Sequence, residues 1–139
     1  MPIQPDDITL NKCAVIERCI RRIREEFDLD PELESFTHTD ALTLNIERAC
    51  QAAIDLAMHH VAQQRLGMPQ SSGEAFRLLE KNGLLSKALR QSLIAMTGFR
   101  NIAIHEYQEL DKSVLKYIAE TGYKDFIDFA AQFGVHITP

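Results

Sequence analysis

Tryptophan is absent from this chain of 139 residues, and all aromatics together make up only 7% of it. With 6 Gly and 5 Pro there is too little punctuation for the many turns of an all-β sandwich or barrel. The 3 cysteines, Cys13, Cys19 and Cys50, are odd in number and form no C-x-x-C pair, so neither a disulfide framework nor a structural zinc site is expected. Positive charge is not in excess. The net charge of -5 excludes a protein that coats nucleic acid indiscriminately, while leaving room for a local basic cleft. No apolar run approaches the roughly 18–20 residues that a membrane helix needs. The opening MPIQPDDITL lacks the basic and apolar regions of a secretory signal. A cytoplasmic protein without membrane association is therefore expected. What is present is ordinary for a globular chain: 45% hydrophobic and 25% charged residues, at the length of one domain, 1–139.

The apolar spacing is helical almost throughout. Leu10, Cys13, Ala14, Ile16, Ile20, Ile23 and Phe27 recur at three and four and predict a long first helix, capped by Asp6 or Asp7. The stretch from Asp28 to His38 reads as a connection. A second long helix is expected from Thr39 or Asp40, with Leu42, Ile46, Ala49, Cys50, Ala53, Ala57 and Val61 inside, stopped by Gly67-Met68-Pro69. Ser71 followed three residues later by Glu74 has capping-box spacing and opens a short helix that ends at Asn82-Gly83. A fourth begins near Ser86 and runs through Leu89, Leu93, Met96, Phe99 and Ile102. Gly98 inside it suits a place where another backbone packs close. One or two shorter pieces follow, about 112–120 and 123–133, broken at Thr121-Gly122. Gly134 closes the last, leaving a loose VHITP tail. The expected architecture is all-α: an antiparallel bundle of about four to six helices.

The densest polar cluster is Gly98-Phe99-Arg100-Asn101-Ile102-Ala103-Ile104-His105-Glu106-Tyr107. It sets a permanent cation, an amide, an imidazole and a phenol close together, a set suited to phosphodiester chemistry. A guanidinium holds phosphate oxygens and balances developing negative charge. An imidazole titrates near neutrality and can move a proton. At about 100° per residue, Asn101 and His105 share a face, whereas Arg100 and His105 differ by roughly 140°. A straight isolated helix does not converge them; a long side chain, a distortion or a second copy must. From spacing alone, an Arg, a His and a Tyr near a helix end are more usually ion pairs, caps and snorkelling side chains.

The string Arg100-x4-His105-x-Tyr107, preceded by Met96-x-Gly98-Phe99 and followed by Leu110-Asp111, resembles the R-x4-H-x-Y motif of the HEPN superfamily. The likeness is to its small HepT-type (DUF86-like) toxins. The resemblance implies a HEPN-like, homodimeric, metal-independent endoribonuclease without a cofactor, whose two motif copies meet across a cleft. His105 would act as acid or base, Arg100 would stabilise the phosphate and Asn101 would position it. The RNA 2′-hydroxyl would attack the adjacent phosphate, giving a 2′,3′-cyclic phosphate or its hydrolysed form. The resemblance also implies a partner, a small MNT-type nucleotidyltransferase antitoxin that transfers AMP from ATP to Tyr107. AMP there would add negative charge and bulk beside Arg100, where the RNA phosphate must sit.

Other candidates are weaker. Arg18, Arg21 and Arg22 could line an RNA groove, since phosphate contacts supply most non-specific affinity, or form a solvated face paired with Glu17, Glu25 and Glu26. Adjacent His59 and His60 point about 100° apart and make no i,i+4 metal pair; one is expected partly buried and the other exposed. His38 and His136 fall in expected loops without identifiable partners. The cysteines read as core thiols. Two rival readings remain open: a non-catalytic HEPN-like module that regulates a nucleotidyltransferase, and a helical dimerisation protein whose motif residues are structural.

Overall fold

A computed structural model describes the backbone of residues 4–105 and 112–139, and the side chains of residues 4–99 and 112–139. Every regular element among them is helical: α1 (Asp7–Leu29), α2 (Phe36–Gln63), α3 (Ser72–Lys81), α4 (Lys87–His105), α5 (Lys112–Tyr117) and α6 (Tyr123–Gln132), with a π-turn at Ile118–Gly122 joining the last two. The all-α expectation holds.

Local chemistry sets the helix ends. Asp6, rather than Asp7, caps α1 by accepting from the Thr9 amide at 2.8 Å. The second helix starts earlier than expected. Ser35 caps it, and the Asp30 carboxylate accepts from the amides of Glu34 and Ser35, which shortens the connection to a tight turn. The first turn of α2 carries the exposed Phe36 and Thr37, so apolar periodicity could not reveal it. Ser71 caps α3 as the box spacing predicts, accepting from Glu74 N at 3.1 Å, but the Glu74 carboxylate takes the Gln70 amide instead of closing the box. Ser86 caps α4.

Three helices end in the same paired bond pattern, in which the two residues beyond the cap donate back to the last-turn carbonyls. At α3 and α6 the left-handed residue is Gly83 or Gly134. At α2 it is Arg65, with φ of 54°, so that helix stops at Gln63 and not at Gly67.

α1 and α2 pack antiparallel along their lengths. Polar ties mark both ends of the pair, Lys12 to Asp55 at 3.2 Å near one and Glu26 to His38 near the other. The buried apolar residues form one connected core, which includes the expected α2 stripe from Leu42 to Val61. Leu10 and Ala14, read as part of the α1 stripe, are exposed. The three cysteines are buried core thiols, as expected. Phe76, Phe126, Phe129 and Phe133 fill the far side, with ring centroids of Phe129 and Phe133 5.3 Å apart, edge to face. Each fully buried ring stabilises the fold by about 1.5–3 kcal/mol.

The predicted break at Thr121-Gly122 is not a break. The helical path runs on through the π-turn, whose wider winding absorbs the glycine. Nor is the tail loose, because Ile137 is buried in the core.

Candidate active site

The motif helix is anchored before the motif begins. Its inner face buries Leu93, Met96, Thr97 and Phe99. The Cys50 thiol of α2 donates to the Met96 carbonyl at 3.2 Å, one turn before Arg100. Arg90 pairs with Glu80 of α3 through Nε and Oε1 at 2.5 Å, and Ser92 donates to Asp125 of α6. Burial, and then the nearby Asp128 charge, raise the Asp125 carboxyl above its ordinary range. α4 is thus held on three sides by α2, α3 and α6.

From this anchor the helix runs without interruption to His105. Arg100, Asn101 and His105 therefore stand on its last two turns. Asn101 and His105 are one turn apart on one face, and Arg100 lies about 140° round from His105. The structure thereby brings these three into one helix segment, on the register the spacing predicts. Tyr107, Glu106 and Leu110-Asp111 lie outside the described residues. Among the described residues, a Cβ at Gly98 would meet nothing within 4 Å, so, contrary to expectation, no neighbouring backbone packs close there.

The α1 arginines divide. Arg21 pairs with Glu17 at 3.3 Å, and Arg22 with Glu25 and Glu26 at 2.6 and 2.5 Å. Those carboxylates are the partners of the solvated-face reading. Arg18 is exposed. Arg24, which the sequence did not single out, sits with its guanidinium 5.4 Å from the Tyr123 ring centroid. It borders a cleft of about 200 Å³ with Phe27, Asp28 and Glu120. A larger, mainly apolar groove of about 650 Å³ opens between the end of α2 and Gly67–Pro69, with Arg65 at its edge.

His38, His59 and His60 are structural ties, while His136 is exposed beyond α6. His38 is not a loop residue without a partner. It stands in the first turn of α2, and its Nδ1 is 2.5 Å from Glu26, whose carboxyl it holds below the ordinary range. His59 Nε2 lies 2.7 Å from Asp6. The Thr9 amide first, and then His59, keep the Asp6 carboxyl far below its usual value. His60 is buried: Nε2 lies 3.0 Å from the Thr9 hydroxyl, and the ring stacks on Phe133 with centroids 3.8 Å apart. Burial, and then the neighbouring His59 charge, push its pKa down to about 4. Helical periodicity carries no signal for these partners, because they lie on other elements. Among the described residues, no group of three or more His, Cys, Asp or Glu side chains could hold a metal ion.

An all-helical bundle whose anchored fourth helix ends in Arg-x4-His defines a HEPN-like domain, the class that the motif implied. Over residues 16–133 the sequence matches the family model described as Ribonuclease HepT-like, and the chain belongs to this family. It is 42% identical over 125 residues to the mRNA nuclease HepT of Shewanella oneidensis, covering 89% of this chain and 94% of that protein. It is 31% identical over 87 residues to the tRNA nuclease HepT of Aphanizomenon flos-aquae, covering 63% of this chain and 59% of that protein. Among solved structures, the tri-AMPylated HEPN toxin of Shewanella oneidensis in complex with its MNT antitoxin matches with a TM-score of 0.87 at 41% identity. That match covers 92% of this chain and 97% of the other.

Proposed function

We propose that this chain, as one domain over 1–139, is the ribonuclease toxin of a toxin–antitoxin pair. In this reading it is a metal-independent endoribonuclease that works as a homodimer in the cytoplasm, where its RNA substrate (mRNA or tRNA) is found. A single observation carries the reading: α4 runs unbroken to His105 and bears Arg100, Asn101 and His105 at motif register, in a chain that resembles a HepT nuclease over nearly its whole length. His105 accepts the proton of the RNA 2′-hydroxyl or supplies one to the leaving 5′-oxygen. The 2′-oxygen bonds to phosphorus as the P–O5′ bond breaks, leaving a 2′,3′-cyclic phosphate. Arg100 balances the negative charge that develops on the phosphate, and Asn101 orients it. A second copy supplies the convergence that one straight helix lacks.

An MNT-type nucleotidyltransferase antitoxin silences the enzyme by AMPylating Tyr107. Support comes from the solved relative, an AMPylated toxin bound to an MNT antitoxin. Arg18 offers a phosphate contact on α1, and Arg21 and Arg22 can join it only by giving up their glutamate partners.

The test is RNA cleavage by the purified, unmodified chain in EDTA, beside His105→Ala and Arg100→Ala proteins of matched helicity and melting temperature. Cleavage by the wild type, falling about 10²-fold or more in each variant, is expected. Wild-type rates in both variants would remove Arg100 and His105 from the site, and no cleavage of mixed RNA or tRNA by the unmodified wild type would leave the non-catalytic, nucleotidyltransferase-regulating module as the better reading.

A further inference from the structure

Tyr117 ends α5 with its side chain 55% exposed, one of the few large rings that the fold leaves in solvent. It is nevertheless held in place. The π-turn that follows carries Gly122 five residues on, directly against it. A Cβ added at Gly122 would lie 3.2 Å from Tyr117 Cε1 and 3.4 Å from Met96 Sδ. The missing Cβ therefore makes the space that the ring occupies, and the same spot touches the motif helix. Met96 precedes Arg100 by one turn of α4, about 6 Å along the helix axis. The charge near the ring is mixed: Lys112 and Lys116 share α5 with it, Lys116 pairs with Glu32 at 3.1 Å, and the exposed Glu120 follows in the π-turn.

An exposed aromatic ring buttressed by a glycine that also faces Met96, one helical turn before Arg100, suits a nucleobase better than solvent. We propose that Tyr117 is a base-stacking subsite, on which a nucleobase next to the scissile phosphate rests while Arg100 holds that phosphate. The inference rests on the ribonuclease reading and adds a substrate contact to it. Stacking needs no particular base, so such a platform fixes the depth and angle of the strand while other groups choose the sequence.

Because the chain has no tryptophan, Tyr117→Trp introduces a single indole reporter. Titration with a short mixed-sequence RNA carrying 2′-O-methyl groups, which bars cleavage, should quench its emission as the bases stack. In cleavage assays Tyr117→Ala should raise KM about fivefold to a hundredfold with kcat little changed, whereas Tyr117→Phe should keep the wild-type KM. Gly122→Ala, which crowds the ring, should move KM in the same direction. Unquenched emission at RNA concentrations that saturate binding would overturn the proposal. So would an unchanged KM in Tyr117→Ala, or a changed oligomeric state in Tyr117→Ala without an RNA effect, which would place the ring at a protein interface. Failure of wild-type cleavage would remove the ribonuclease reading separately, because the quenching experiment reads binding alone.

Discussion

His60 makes the fold sensitive to mild acid; Asp125, whose carboxyl is raised, also titrates above the ordinary carboxylate value but acts with the opposite sign. The ring is 3% exposed, stacked on Phe133, and bonded to Thr9 through Nε2; Nδ1 is buried with no hydrogen-bond partner among the described residues. A proton placed on Nδ1 would bury an unpaired charged donor beside His59. In the folded chain the pKa falls to about 4 from the ordinary 6.5. The unfolded chain therefore takes up the proton first, and the His60 contribution, full above about pH 6.5, is lost as the pH falls towards 4. Linkage puts the loss at about 2 kcal/mol between about pH 7 and pH 5, and about 3 kcal/mol by pH 4. The Asp6 and Glu26 carboxyls are shifted down, so the stability they contribute is lost as the pH falls through the ordinary carboxylate range and below it. Urea unfolding followed by circular dichroism at several pH values between 7 and 5 measures the slope. His60→Phe, which keeps the stack but loses the Thr9 bond, should cost about 1 kcal/mol at neutral pH and flatten the slope. Parallel losses of stability in wild type and variant over that range would refute the reasoning.

Two further outcomes follow from the helix ends. Ser71→Ala removes the acceptor for the Glu74 amide at the start of α3 and should cost about 1 kcal/mol in a urea melt; no change would mean that Gln70 and Glu74 hold the turn by themselves. Arg65→Gly relieves a left-handed non-glycine residue at the end of α2 and should stabilise the chain by about 0.5–1 kcal/mol. A lower melting temperature would show that the Arg65 side chain contributes more than its backbone costs.

Much of the fold was readable because its helices announce themselves locally. The caps at Asp6, Ser71 and Ser86 and the glycines at Gly83 and Gly134 act within a few residues of where they stand. Reading failed where local signal and outcome diverge. The first turn of α2 is polar or exposed, so its start lay hidden; an Asp30 carboxylate holding two amides decides it. Thr121-Gly122 looked like a stop because glycine weakens a helix, yet a π-turn carries the chain through. The ties of His38, His59 and His60 join residues 12, 53 and 51 positions away, distances at which periodicity says nothing. For the candidate site, residue types and spacing were plain in the sequence. The convergence of Arg100 and His105 was not, because one helix does not supply it.

The chemistry of the RNA ends tests the central claim most directly. RNA cut by the unmodified chain in EDTA, analysed by mass spectrometry, should carry 2′,3′-cyclic phosphates at the upstream fragments and 5′-hydroxyls at the downstream ones, with none formed by His105→Ala. Ends bearing 3′-hydroxyl and 5′-phosphate, or cyclic ends formed equally by His105→Ala, would contradict a 2′-hydroxyl attack served by His105.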